Sequence, residues 1–211
     1  MSDNHADDHE HGHHHHHLRE SETFYAARTK ALESLFREKG LIGTDTVDRV
    51  IRFFEHEMGP FNGAKVVARA WTDPAFKERL LTDANKAIAE LGLKDGIEGE
   101  NIRVVENTPS THNIVCCTLC SCWPWPLLGL PPYWFKDPVF RARVVREPRG
   151  VLSDFGVSLP DDKQIMVWDS SAQVRYFVIP ERPVGTDRMS EEDLSQLVST
   201  EAMQGLELAK G

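Results

Sequence analysis

Cysteine is absent from this chain except between residues 116 and 122, where all four fall in the stretch "VCCTLCSCWPWP". A stabilising disulfide framework spreads its cysteines to close long loops, so this distribution excludes one. No apolar run approaches the roughly 20 residues a membrane-crossing helix needs, which argues against a membrane protein. The start of the chain is acidic and histidine-rich, unlike a secretory signal or a transit peptide, and a cytoplasmic setting is expected. A surplus of basic charge is also missing. The net charge is -9, which argues against nucleic acid as the main partner, because phosphate binding needs a concentrated basic surface. The arginines of "RARVVREPR" are expected on a solvated or salt-bridged helix face. Outside the first 19 residues histidine is scarce: only His56 and His112 remain. No internal repeat is found.

What is present fits an ordinary globular protein. The chain has 211 residues, 40% hydrophobic and 27% charged, enough for one large domain or one domain plus an appendage. Residues 1–19, "MSDNHADDHEHGHHHHHLR", hold eight of the ten histidines. With almost no apolar residue, this segment is expected to be disordered. Its five consecutive histidines look like a purification tag, whereas the interspersed Asp, Glu and His look like a natural metal-capturing tail.

From residue 20 to 96 the pattern is helical. Phe24, Ala27, Ala31, Leu32 and Leu35 recur at helical spacing before Gly40. Thr44 or Asp45 is placed to cap a second helix carrying Val47, Val50, Ile51 and Phe54. "GPFNG" reads as a break, and Asp73-Pro74 as the cap and first turn of a helix running to Gly92. From 97 to 211 the pattern is mixed. "NIRVVEN" and "HNIV" alternate as strands, "DPVFRARVVRE" and its continuation to Gly156 are helical, and "SEEDLSQLV" is a last helix begun by Ser190. "KQIMVWD" and "QVRYFVIP" read as a β-hairpin. The expected fold class is α+β: a helical N-terminal arm followed by a mixed α/β domain that carries the cysteine loop.

The loop spacing is Cys-x-x-Cys-x-Cys from Cys117. A structural zinc usually takes two separated ligand pairs, but there is no second pair here, and His112 is the only nearby histidine. A local Cys116–Cys120 or Cys117–Cys120 disulfide leaves Cys122 unused. A third possibility uses all three: thiolates of Cys117, Cys120 and Cys122 converge on one transition metal. A strongly Lewis-acidic trivalent ion would also take the backbone nitrogens of Ser121 and Cys122. One octahedral position would stay open, the mark of a catalytic metal.

The segment "VCCTLCSCWPWPLLGLPPYWFKDPVFRARVVREPRGVL" strongly resembles the metal-binding segment of the nitrile hydratase α subunit. "EHEMGPFNGAKVVARAWTDPAFKERLL", "VENTPSTHN", "VWDSSAQVRYFVIPERPVGTD" and "LSQLVSTEAMQGL" also resemble that subunit, in order, over roughly Ala26 to Glu207. The resemblance implies that Cys117, Cys120 and Cys122 supply sulfur ligands, and Ser121 and Cys122 amide nitrogens. It implies oxidation of Cys120 to sulfinate and Cys122 to sulfenate. Thr118 matches the cobalt type, so low-spin Co(III) is expected, with Fe(III) as the alternative. Asp169 and Arg175 match supporting polar positions.

There are four departures from the family pattern. Cys116 stands where an aliphatic residue is usual and is expected to be a buried, unligated small hydrophobe. Trp123 replaces a typical tyrosine, Glu98 an expected glutamine, and Gln173 a glutamate found in some members. The tryptophans Trp123, Trp125 and Trp134 either line a substrate pocket or pack as core. His56 is expected at the surface or facing a partner, and His112 is not expected to be a ligand.

The implied activity is hydration of a nitrile to an amide, catalysed by Cys120, Ser121 and Cys122 with the metal. The nucleophile is either the Cys122 sulfenate oxygen or an activated water. The implied partners are a β subunit, whose arginines would bind the oxidised sulfurs, in an αβ dimer pairing to α2β2, and an activator that loads the metal. Competing readings are the metal subunit of thiocyanate hydrolase, a non-catalytic metal or redox module, and a metal carrier acting through the His-rich tail.

Overall fold

The computed structural model describes residues 10–56, 59–93 and 101–211, with the backbone alone for 10–23 and 54–56. Two compact units divide at Ile51/Arg52. In the first, helix α1 spans Glu10–Glu38 and ends where Gly40 takes a positive φ of 68°. The α1 backbone is thus helical over 10–19, within the stretch expected to be disordered. Phe24, Tyr25, Leu32, Leu35, Phe36 and Leu41 are exposed in this unit. Helix α2, Thr46–His56, crosses the division, and its start agrees with capping near Asp45.

In the second unit, α3 (Pro60–Thr72), α4 (Pro74–Thr82) and α5 (Ala84–Glu90) precede the strands β1 (Ile102–Glu106) and β2 (Thr111–Cys116). These helices and strands share one core. Val66, Val67, Leu80 and Ile88 bury against Ile102, Val104, Phe177 and Ile179. The expected division at 96/97 lies outside the described residues. The break expected at "GPFNG" falls at Gly59, whose backbone is extended (φ 178°, ψ -169°), and not beyond it: Pro60 already sits in the first turn of α3, a position that needs no N–H. Gly63 lies inside the helix because a Cβ there would come within 2.6 Å of Met203 Sδ and 2.7 Å of the Leu127 carbonyl. The helix expected to run from Pro74 to Leu91 is two helices. At Asp83 the chain leaves helical geometry (φ -142°, ψ 84°), and its side chain caps α5 through the Lys86 N–H.

After the cysteine loop come the short α6 (Trp125–Leu128), α7 (Pro138–Arg146) and α8 (Pro148–Asp154). Asp137 caps α7 by accepting from the Val139 N–H. Arg143 bridges Glu147 and Asp154, so part of the arginine run is the salt-bridged face expected. Strands β3 (Gln164–Asp169) and β4 (Arg175–Ile179), a last short α-helix α9 (Glu191–Ser195) and a 3-10 turn at Ala202–Gln204 complete the described elements.

The expected β3–β4 hairpin does not form. Instead β1 pairs with β4 and β2 with β3, both in parallel, in two two-stranded sheets. The connecting "SSAQV" contains none of the Gly, Asn or Asp residues that tight hairpin turns favour. It carries the chain from one sheet to the other, with Ser171 N–H donating to the Val174 carbonyl and Tyr176 N–H to Ser170 Oγ. Register places Val115 opposite Trp168 and Cys116 opposite Asp169. Among the described residues no helix is long and apolar enough to cross a membrane.

Candidate metal centre

Strand β2 delivers the cysteines. It is almost wholly buried, and successive side chains point to opposite faces. Ile114 and Cys116 face a cluster with Phe140, Val144 and Leu206. Cys117 faces the other, with Trp123, Leu127 and Phe135. Adjacent cysteines thus point into different environments. Cys116 is fully buried, and burial pushes its thiol up to about 12. It behaves as the inert small hydrophobe expected and stands apart from the metal-competent group.

That group is Cys117, Cys120 and Cys122, whose Sγ atoms all lie within 4.8 Å of one another. Cys120 Sγ is 3.3 Å from Cys117 Sγ and 2.9 Å from Cys122 Sγ, and the Cys120 N–H donates to Cys117 Sγ at 3.4 Å. Cys117 and Cys122 are buried, whereas Cys120 is exposed. Hydrogen bonds from Cys122 and then Cys117 hold the Cys120 thiol below its ordinary value, while burial raises Cys122. The exposed sulfur is thus the one whose neighbours favour its thiolate form. Three soft donors converging within one short loop fit a transition metal and not magnesium or calcium.

The loop is tied at both ends. At its start Asp169, the last residue of β3, accepts from the Thr118 N–H through Oδ1 at 2.9 Å and from Thr118 Oγ1 through Oδ2 at 2.5 Å. At its end Trp123 is fully buried, donates from Nε1 to the Gly129 carbonyl at 2.9 Å, and meets Phe135 edge-on at 4.6 Å. Trp123 is therefore core, and the half-buried Trp134 packs edge-on against Phe135, Phe140 and Phe155. Beside Thr118 an open groove of about 400 Å³ runs along α7, lined by Pro138, Arg141, Ala142, Val145 and Arg146.

The other sequence candidates are placed as follows. Ser121 lies between Cys120 and Cys122 in the loop and is half-buried. Arg175 begins β4, registered opposite Ile102, on the strand that does not pair with β2. Gln173 is exposed in the β3–β4 connection, beside Ser171. Glu98 lies outside the described residues, as does the side chain of His56. His112 is fully buried and engaged through both ring nitrogens, with Gly205 and Asn107, so neither is left for a metal. Burial is the main cause holding its imidazole below the ordinary value.

Sequence reasoning passed over the residues around His112. Asn107, Asn113 and Trp168 join it in one buried hydrogen-bonded group. Their only signal was two asparagines and a histidine in and beside an otherwise apolar strand, within "VENTPSTHN".

Residues 23–207 match the family described as nitrile hydratase, alpha chain. A cobalt-containing nitrile hydratase subunit alpha from Pseudonocardia thermophila is 55% identical over 185 residues, spanning 87% of this chain and 90% of that protein. Thiocyanate hydrolase subunit gamma from Thiobacillus thioparus is 38% identical over 190 residues, spanning 85% of this chain and 78% of that one. A solved structure, a double mutant of Fe-type nitrile hydratase from Comamonas testosteroni Ni1, aligns with a TM-score of 0.78 at 40% identity. It covers 90% of this chain and 92% of that chain. With the three sulfurs already gathered in its loop, this chain belongs to the nitrile hydratase α-chain family, whose members are hydro-lyase subunits that work with a β subunit.

Proposed function

We propose that this chain, joined to a β subunit, hydrates small nitriles to amides at a cobalt centre held by Cys117, Cys120 and Cys122 and by the backbone nitrogens of Ser121 and Cys122. The observation that carries this reading is the convergence of three sulfurs within 4.8 Å. Cobalt is favoured over iron by Thr118 and by the cobalt-containing relative at 55% identity. Bound trivalent cobalt supplies Lewis acidity that makes a nitrile carbon electrophilic.

The chain's own residues prepare that site. Asp169 fixes the first turn of the loop through both polar groups of Thr118. Trp123, Leu127 and Phe135 wall the inner side with apolar surface and keep water from Cys117. Cys120, the exposed sulfur of the three, is proposed as the one oxidised to sulfinate, with Cys122 carrying sulfenate. Arginines of the β subunit would pair with those oxyanions and close the site. The assembly proposed is an αβ dimer paired into α2β2, loaded by an activator in the reducing cytoplasm, where the thiols stay free until the metal arrives. Arg175 and Glu98 are proposed as supporting polar groups.

Co-expression with the β subunit in cobalt-supplemented medium tests this. The expected result is one cobalt per α chain, a Cys117–Cys122 peptide carrying two added oxygens on Cys120 and one on Cys122, and amide formed from a nitrile. Thiocyanate turnover without nitrile turnover would move the chain to the hydrolase activity named for its 38% relative. Zinc on three unmodified thiols would overturn catalysis altogether.

A further inference from the structure

The group around His112 connects four segments. They are the end of β1, strand β2, strand β3 and the turn before the C-terminus. Each donor and acceptor in it is assigned by a partner that can play only one part. The Asn113 backbone N–H can only donate, so the Asn107 atom 2.7 Å away is Oδ1. Asn107 Nδ2 then faces His112 Nδ1 at 3.2 Å, which must accept. His112 Nε2 therefore carries the proton and donates to the Gly205 carbonyl at 2.7 Å. Trp168 Nε1 can only donate, so it fixes Asn113 Oδ1 at 2.8 Å. Asn113 Nδ2 is left to donate to the Glu106 carbonyl at 2.8 Å and to Asn107 Oδ1 at 3.1 Å. One arrangement satisfies every group, and it requires neutral His112.

A buried polar group of this kind costs desolvation that an apolar core would avoid, and its distinctive contribution is specificity of arrangement. Strand β2 has a particular need for that. Two cysteines stand side by side at its end, and only Cys117 faces the claw. A slip of one residue against β3 would turn every β2 side chain to the other face and present Cys116 instead. The apolar pattern resists such a slip weakly, because Ile114, Val115, Cys116 and Cys117 are all buried and all small or aliphatic.

We propose that Asn113 and Trp168, backed by Asn107 and His112, are positioning residues that lock the register of β2 on β3 and so select Cys117 over Cys116 for the metal loop. The lock acts at short range. Trp168 is paired with Val115, and its neighbour Asp169 is paired with Cys116 and holds Thr118. Gly205 extends the lock to the C-terminal turn. A Cβ there would fall 1.7 Å from the Asn113 carbonyl oxygen, so only glycine brings its own carbonyl to His112. The inference rests on reading the loop as the metal site, but its consequences appear in the loop whether or not metal is bound.

Trp168→Phe tests it, since an aromatic ring, though a smaller one, is kept and the Nε1–H donor is lost. In the complex with the β subunit, and in the same complex stripped of metal, two readouts apply: amide hydrogen exchange at Thr118 and alkylation of Cys116 under native conditions. The expected result is exchange at Thr118 faster by roughly tenfold, the loss of about one well-formed hydrogen bond. Cys116 should become reactive while exchange in α4 stays unchanged. His112→Gln, which keeps a donor for the Gly205 carbonyl, should lie closer to wild type than His112→Leu on both readouts. Unchanged Thr118 exchange and a protected Cys116 would overturn the proposal. So would equal acceleration in α4, which would mark a purely structural role. A wild-type complex without metal or nitrile turnover would instead refute the functional reading, and the exchange test on the stripped complex would still decide the lock.

Discussion

The tie between Thr118 and Asp169 lends itself to a double-mutant cycle. Thr118→Val is nearly isosteric and removes only the hydroxyl, which donates to Asp169 Oδ2 at 2.5 Å. Asp169→Ala removes that bond and also the acceptor for the Thr118 N–H at 2.9 Å. Both bonds end on a carboxylate, which alone would suggest the upper range for a single bond. Asp169 is exposed, however, and water competes, so about 1 kcal/mol per bond is the appropriate figure. The cycle then has a definite form. Thr118→Val costs about 1 kcal/mol, Asp169→Ala about 2, and the double variant about 2 as well, a coupling of about 1 kcal/mol. Because the pair holds the first turn of the loop, a cost of about 2 kcal/mol raises the population of loosened loops roughly thirtyfold. Release of cobalt from the assembled complex to a chelator should accelerate by a similar factor in Asp169→Ala. Additive effects of the two substitutions would refute the reasoning, as would metal release from Asp169→Ala at the wild-type rate.

Three further outcomes follow from the same structure. Cys116→Ala should leave metal content and the absorption of the loaded centre unchanged and cost about 1 kcal/mol of stability, whereas Cys117→Ala should abolish metal binding by elemental analysis. Gly205→Ala should destabilise by about 3 kcal/mol or more in chemical denaturation, because its left-handed backbone disfavours a Cβ and the Asn113 carbonyl occupies the space. Since burial holds neutral His112 below its ordinary value, the unfolded chain takes up that proton first. Stability should therefore be full above about pH 6.5 and fall as pH drops from there towards the folded value, and His112→Gln should remove this component of the denaturation midpoint.

The parts of the structure that were legible in the sequence share a cause: the signal was local. Asp73-Pro74, Asp137-Pro138 and Ser190 announce helix starts because cap and first turn are adjacent in sequence. Cys117, Cys120 and Cys122 announce a claw because one short loop supplies every sulfur. What was missed was decided at long range. Gly63 reads as a helix breaker until Met203 and Leu127 are seen against it. "KQIMVWD" and "QVRYFVIP" alternate as any hairpin would, and only tertiary partners send them to β2 and β1. The engagement of His112 with Gly205, 93 residues away, has no signature in its neighbourhood.

The interleaved parallel pairing also sets a schedule for biosynthesis. Neither sheet can close until β3 and β4 have left the ribosome, and Thr118 waits 51 residues for Asp169. Such non-local pairing is slow and follows the helices that precede it. The cysteine loop therefore emerges with its thiols unrestrained, and its first turn is tied down only after translation has passed β3.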